Sequence, residues 1–273
     1  MPAEYKENTI FANRYRLKTF LGNGKYTEVW HAFDTLANVG VAIKLYLNDA
    51  VKEEVLRKFA MVFDINHSNI LHPIYVGIYD GKVYEVMQFC KQGNVAKLIA
   101  EGGTISEETC WKMLHDVAAG LSCLHSCPTP ILHLDIKPDN VLIQDGGGYA
   151  LTDFGISEYF RGDKENRVNG TVAYMAPERF MENSFPVKAS DIWSLGAMMY
   201  EVMTGGELPF GETGGSFQSP DDDAPMLPDS YSQEIKQIVC KCLAYYPWDR
   251  PVANNIVMYA HERMKSENYN STK

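Results

Sequence analysis

The chain has 273 residues, 45% of them hydrophobic and 22% charged, which excludes a disordered, collagen-like or mini-protein reading and leaves room for a large core without covalent staples. With 25 basic and 35 acidic residues the net charge is −10. That balance argues against broad binding of nucleic acid or anionic membrane and fits a cationic partner or plain solubility.

The first ~90 residues read as strand-rich. Tyr15–Phe20 alternates and runs into the turn Leu21-Gly22-Asn23-Gly24-Lys25; Val29–Phe33 is a second strand, and Asn38-Val39-Gly40 leads into Val41-Ala42-Ile43-Lys44-Leu45. Residues 50–65 carry Val51, Val55, Phe59 and Val62 at helical spacing. Ile70–Ile78 and Val83–Phe89 flank Asp80-Gly81, a strong hairpin signal. After Gly93 the texture becomes helical. Residues 107–126 place Leu114, Val117, Leu121 and Leu124 on one face, and Thr104 with Glu107 has the spacing of a capping box. Residues 130–160 read as short strands and loops. Asp191–Met203 is apolar almost all round, too short to span a bilayer, and so predicts a central buried helix stopped at Gly205-Gly206. Residues 211–230, with Asp221-Asp222-Asp223, read as a solvated loop without a role; 232–244 and 252–264 predict two last helices, and 265–273 a polar tail.

The cysteines, Cys90, Cys110, Cys123, Cys127, Cys240 and Cys242, form no C-x-x-C pair and no zinc spacing, so they read as reduced core thiols. The N-terminal stretch MPAEYKENTIFANRYR has no apolar run of a signal peptide, and no ~18-residue apolar segment occurs, so the expectation is a cytoplasmic chain without direct membrane contact.

Gly22-Asn23-Gly24-Lys25-Tyr26-Thr27-Glu28-Val29 joins two strands through glycines that let backbone N–H groups approach a phosphate; a plain hairpin turn fits as well. No helix follows directly, so it is not a dinucleotide fingerprint. Lys44 at the end of an apolar strand is either an edge charge or a point charge for nucleotide phosphates. His133-Leu134-Asp135-Ile136-Lys137-Pro138-Asp139-Asn140 sets Asp, Lys and Asn into one loop before the apolar Val141-Leu142-Ile143. A solvated turn would do that too, but one base, one cation and one amide ligand are what phosphoryl transfer brings together. Asp153-Phe154-Gly155 follows, and its carboxylate with the Asn140 amide oxygen would suit Mg²⁺, a hard cation.

In this order, with Ala176-Pro177-Glu178, the stretch Asp191-Ile192-Trp193-Ser194-Leu195-Gly196 and Arg250 in Trp-Asp-Arg-Pro, the chain resembles the eukaryotic-type protein kinase family over residues 14–264. The resemblance implies an α+β, two-lobed fold. Residues 14–89 would form an N-lobe of antiparallel sheet plus one helix and 90–264 a mainly helical C-lobe, the ligand cleft between them; 1–13 would be an extension. It implies a serine/threonine kinase acting on a protein hydroxyl with ATP and Mg²⁺. Asp135 would be the base, Lys137 would neutralise the γ-phosphate, Asn140 and Asp153 would hold Mg²⁺, and Lys44 would hold the α- and β-phosphates. Gly22, Asn23 and Gly24 would cover the phosphates. Leu21, Val29, Ala42 and Leu142 would line the adenine slot, with Met87 as gatekeeper and Gln88-Phe89-Cys90 as hinge. Glu178 and Arg250 would form a buried pair. Lys137 with Gly170-Thr171 fits a serine or threonine acceptor, with Thr171 bridging Asp135 and Lys137 as a substrate floor.

Three departures from the pattern stand out. Leu134 replaces the arginine that precedes the catalytic Asp, and Phe160–Gly170 holds no Ser, Thr or Tyr, so both the phosphate receptor and its attachment point are missing. This non-RD chain is expected to act without activation-loop phosphorylation. Lys58 stands where the family has the helix glutamate that pairs with the strand lysine. Either Glu54, one turn earlier, or Asp153 would then orient Lys44, or the helix is swung out and the chain is a pseudokinase-like nucleotide-binding scaffold. The acidic balance hints at basic residues around the acceptor; the oligomeric state and the physiological substrate are not readable.

Overall fold

The computed structural model describes residues 4–24, 27–48, 52–155, 157–159, 170–182, 184–222 and 225–271. Two stretches singled out above, Lys25-Tyr26 and 160–169, lie outside these, as do Val51 and Asp223. The chain divides into two units, one of Met1–Asn66 with Leu71–Lys91, the other of His67–Ile70 with Gln92–Lys273.

The first unit is an antiparallel sheet with one helix. Its strands are β1 (Ile10–Phe11), β2 (Tyr15–Asn23), β3 (Thr27–Asp34), β4 (Val39–Tyr46), β5 (Tyr75–Tyr79) and β6 (Lys82–Gln88), in the order β1-β2-β3-β4-β6-β5. Alternation sorts the two faces. One carries the cluster of Phe11, Tyr15, Leu17, Trp30, Ala32, Val41, Ile43, Leu45, Tyr84 and Val86. The residues ahead of β2 belong to this cluster. Phe11 meets Tyr79 and Tyr84 edge-on at 5.0 Å, and Tyr5 covers Phe11 at 5.3 Å. The segment read as an N-terminal extension thus contributes an edge strand, β1, and the Tyr5 ring over Phe11. Arg14 and Asp34 tie β2 to β3 through a two-pronged bond, Nε to Oδ1 at 2.9 Å and Nη2 to Oδ2 at 2.7 Å. The Asp80-Gly81 hairpin forms as expected, both residues at positive φ (50° and 78°), the geometry whose twist matches the strands.

The helix, α1 (Lys52–Val62), packs against β6. Its buried residues are Val55, Lys58, Met61 and Val62, none of which joins the aromatic-rich cluster, so α1 covers the other face.

The second unit is helical. It contains α2 (Val95–Ala100), α3 (Glu107–His125), α4 (Lys188–Thr204), α5 (Gln233–Cys242) and α6 (Ala253–Ser271). Short antiparallel pairs β7 (Ile131–Leu132) with β10 (Glu158–Tyr159), and β8 (Val141–Ile143) with β9 (Tyr149–Leu151), hold the loops between α3 and α4. The central helix is α4, buried on nearly every side from Ser190 to Met203 and ended by Gly205 in the left-handed region at φ 76°. A Cβ at Gly196 would lie 2.8 Å from that of Cys242, so this glycine sets how closely α4 meets α5.

Two sequence expectations are corrected. The cap of α3 is Ser106, whose hydroxyl accepts from the Thr109 N–H, and not Thr104. Glu107 is drawn away from a capping box by tertiary donors, accepting from the Trp111 indole and from the N–H and hydroxyl of Ser232. The supposed tail from residue 265 continues α6 to Ser271, because its polar residues include no Gly or Pro that would break the helix. None of the six cysteines is joined in a disulfide; Cys90, Cys110 and Cys242 are buried, and burial pushes the thiols of Cys110 and Cys242 up to about 12.

Candidate active site

In the second unit, a loop between β7 and β8 carries His133 to Asn140 and ends in a 3₁₀ turn, Pro138–Asn140, that starts with proline at its first position. The loop is hung on one carboxylate. Asp191, in the first turn of α4 and fully buried, accepts from the N–H of His133 (Oδ2, 3.0 Å) and of Leu134 (Oδ1, 2.8 Å) and pairs with His125 Nε2 at 2.8 Å. Burial alone would push the Asp191 carboxyl up; the His125 bond and the Leu134 N–H outweigh it and hold it below its ordinary value. Leu134, at a positive φ of 67°, is itself buried. The strain of a branched residue in that region is sustained by the Asp191 bonds on either side.

Asp135 follows, with its carboxylate set in a cage of donors. Oδ1 accepts from the Thr171 N–H at 3.1 Å and the Thr171 hydroxyl at 2.9 Å. Oδ2 accepts from Asn140 Nδ2 at 2.9 Å and lies 3.0 Å from Lys137 Nζ. Lys137 also donates to Thr171 Oγ1 at 2.7 Å. Asp135, Lys137, Asn140 and Thr171 are thus brought together as expected, and the hydroxyl bridge of Thr171 between Asp135 and Lys137 is present.

Asn140 Nδ2 donates twice to Asp135, to its carboxylate and to its main-chain oxygen at 2.8 Å. The amide oxygen is the atom left for a cation. Beside it, the Thr152 N–H donates to the Asn140 carbonyl at 3.0 Å, and the next residue is Asp153, at φ 61°, whose Oδ1 accepts from the Gly155 N–H at 3.2 Å. Phe154 is buried against His133, ring centres 5.1 Å apart. An amide oxygen and a carboxylate fit Mg²⁺, which takes oxygen ligands. Among the described residues no group of three His, Cys, Asp or Glu gathers as a metal cage, so the remaining ligands would come from phosphate oxygens and water.

The floor from Thr171 onward is held by residues to which the sequence reading gave no role. The Ser194 hydroxyl donates to the Tyr174 carbonyl at 2.6 Å, and the Gly215 N–H donates to the Met175 carbonyl at 2.9 Å. Gly214 sits at φ 54°, where a Cβ would fall 2.2 Å from the Val172 carbonyl oxygen, so only glycine permits this approach. The Tyr174 hydroxyl donates to Glu201 Oε2 at 2.5 Å, and burial raises both the phenol and the Glu201 carboxyl, Asp139 and Glu212 adding negative charge nearby. The 211–230 loop therefore has a part in the site. Its glycines were the available signal, but their partners lie far away in sequence. Below the floor, Glu178 and Arg250 form the expected buried pair, Nη1 to Oε1 at 2.7 Å and Nη2 to Oε2 at 2.8 Å.

The remaining candidates lie mostly in the first unit. Gly22 and Asn23 end β2 opposite Val29 and Glu28, and the Gly24 N–H donates to the Thr27 carbonyl at 3.0 Å. Leu21 is exposed, Val29 half-buried and Ala42 buried. Register pairs Val29 with Lys44 and Ala42 with Met87, which puts these four on the face covered by α1. Gln88 is exposed, and Phe89 stacks on His31 at 3.9 Å before the buried Cys90. Leu142, half-buried in β8, belongs to the other unit. Glu54 is exposed in the first turn of α1, where its charge complements the helix N-terminus, while Lys58 one turn on is buried.

The family model described as protein kinase domain matches residues 15–261 of this chain. The chain belongs to the protein kinase family, and its fold is the family's α+β one. It is 32% identical over 256 residues to the serine/threonine-protein kinase dst1 of Dictyostelium discoideum, covering 89% of this chain and 34% of that protein. It is 28% identical over 270 residues to the CBL-interacting protein kinase 26 of Oryza sativa subsp. japonica, covering 95% and 54%. With the CBL-interacting serine/threonine-protein kinase 2 of Arabidopsis thaliana it shares 26% over 246 residues, 86% of this chain and 53% of that one. The chain spans about half the length, or less, of these relatives.

Proposed function

We propose that this chain is an active serine/threonine protein kinase that moves the γ-phosphate of ATP to a protein hydroxyl. The observation that carries the reading is the cage around Asp135, one carboxylate held by Thr171, Asn140 and Lys137. A hydroxyl of a serine or threonine substrate donates its hydrogen bond to Asp135. Its oxygen attacks the γ-phosphorus, the bond to the leaving ADP oxygen breaks, and the proton passes to Asp135. Lys137 carries the positive charge beside the transferred group. Asn140 and Asp153 would hold Mg²⁺, which when bound neutralises phosphate charge. Lys44 holds the nucleotide's α- and β-phosphates, under the loop of Gly22, Asn23 and Gly24. Leu21, Val29, Ala42, Met87, Gln88, Cys90 and Leu142 are assigned to the adenine.

The names of the relatives support the serine/threonine assignment. A net charge of −10, with Asp139, Glu201 and Glu212 around Tyr174, favours acceptors flanked by basic residues over nucleic acid. No helix among the described residues is long and apolar enough to cross a membrane; we assign the chain to the cytoplasm on its reduced cysteines. Activity needs no activation-loop phosphate, a reading supported by the buried Leu134 and by the absence of Ser, Thr and Tyr from 160–170.

The test is transfer of labelled γ-phosphate to a basic serine peptide. Asp135→Asn should reduce kcat by about 10²–10⁴-fold, the range of a lost general base, and phosphatase treatment of the wild type should leave the rate unchanged. If wild type and variant are equally silent while ATP still raises the melting temperature, the chain is a nucleotide-binding scaffold instead.

A further inference from the structure

At the helix position where the family carries a glutamate, this chain has Lys58. Both acids of α1, Glu53 and Glu54, are exposed in its first turn, and Lys58 is the charged residue it buries. Lys44, half-buried in β4, has a carboxylate beside it in the sheet. In the antiparallel register of β4 and β6, Lys44 stands directly opposite Glu85. Directly opposed residues share a face, with Cβ atoms about 4.5–5.5 Å apart. Glu85 is 8% exposed, an unusual burial for a glutamate, on the strand against which α1 packs.

Tyr46 ties the two together. It follows Lys44 by two residues on the same strand and therefore on the same face. Its hydroxyl donates to Glu85 Oε2 at 3.0 Å, and Lys44 Nζ lies 5.5 Å from the centre of its ring. One aromatic side chain thus fixes the carboxylate at its tip and attracts the ammonium over its face.

From this we infer that Glu85 is the residue that positions Lys44 for nucleotide phosphates, the carboxylate having moved from the helix to the neighbouring strand while a lysine occupies the helix position. The inference rests on the proposed kinase reading and deepens it. Glu85 acts through Lys44 and touches no reacting atom. Because both partners belong to one sheet, their pairing does not depend on where α1 sits. A kinase built this way has no need to swing its helix inward to complete the pair, in keeping with activity that needs no loop phosphate.

The test measures Mg·ATP affinity by calorimetry together with steady-state kinetics. Glu85→Gln keeps the size and an acceptor for Tyr46 but removes the charge. It should weaken ATP binding and raise the ATP KM about tenfold, and leave the KM for the peptide unchanged. Glu85→Asp should recover most of that loss, as should Lys58→Glu added to Glu85→Gln, which returns the carboxylate to the helix. Tyr46→Phe, a milder change, should raise the ATP KM about threefold without shifting the melting temperature, and it stands in if Glu85→Gln does not fold. ATP affinity within twofold of wild type in both Glu85→Gln and Tyr46→Phe overturns the inference, as does equal loss of ATP and peptide affinity. A wild type that binds ATP but transfers no phosphate counts against the kinase reading alone, and the affinity series still decides the role of Glu85.

Discussion

Replacing Thr171 by valine removes one hydroxyl and almost no volume. That hydroxyl donates to Asp135 Oδ1 at 2.9 Å and accepts from Lys137 at 2.7 Å, so it couples the carboxylate to the ammonium, the proposed base to the proposed cation. Asp135 keeps three donors in the variant, the Thr171 N–H at 3.1 Å, Asn140 at 2.9 Å and Lys137 at 3.0 Å. A hydrogen bond to a charged group contributes about 1.5–3 kcal/mol. At about 1.4 kcal/mol per factor of ten, loss of this bond in the transition state should lower kcat by about 10–150-fold. Since the group is partly exposed and the backbone bond persists, the melting temperature should hardly move. Thr171→Ser restores the hydroxyl and should return kcat to within about threefold of wild type. Single-turnover phosphorylation of a serine peptide reads the chemical step. A valine variant within twofold of wild type, or a serine variant as slow as valine, refutes the idea that this hydroxyl holds the base and the cation in register.

Two further predictions concern stability. Arg14, with the N–H groups of Ala37 and Leu36, holds the Asp34 carboxyl down at about 2, against an ordinary 3.8. A depressed carboxyl stabilises above its unfolded value, and the contribution is lost as pH falls through about 2. The full shift corresponds to about 2.4 kcal/mol, and because Arg14 faces solvent the expected loss in Asp34→Asn at pH 7 is about 1–2 kcal/mol. Urea titrations should show that gap closing between pH 4 and about 2; a gap independent of pH contradicts it. Arg250 uses every guanidinium donor direction, reaching Glu178 twice and the carbonyls of Ala189, Ala244 and Tyr245. Arg250→Ala leaves Glu178 buried with the Ser190 hydroxyl still donating to it at 2.7 Å and should cost about 3–5 kcal/mol by chemical denaturation; a loss below about 1 kcal/mol would show the pair to be dispensable.

What could be read without coordinates is what lies close along the chain. Asp135, Lys137 and Asn140 sit within one short loop, where a few torsions already confine them, and Asp153-Phe154-Gly155 is a contiguous stretch. The apolar texture of Asp191–Met203 announced a buried helix, and Asp80-Gly81 its hairpin, because periodicity and turn chemistry are local. The Thr171 bridge and the Glu178–Arg250 pair were legible only through the family resemblance, since nothing between those residues dictates their meeting. The Ser106 cap and the run of α6 to Ser271 were misjudged at element ends, where tertiary contacts outweigh propensity.

Other features became visible only in three dimensions. Asp191 receives the backbone of the 133–140 loop from 58 residues away, and Gly214 takes a backbone twist that makes sense only once the Val172 carbonyl is seen against it. Glu85 reads as one more residue of an alternating strand until the register of β4 and β6 sets it against Lys44. A shift of a single residue would turn it to the opposite face. Residue types and their spacing thus determined the chemistry the chain carries. Strand register and helix packing decided which charges face one another, because a side chain's partner depends on where the backbone comes to rest.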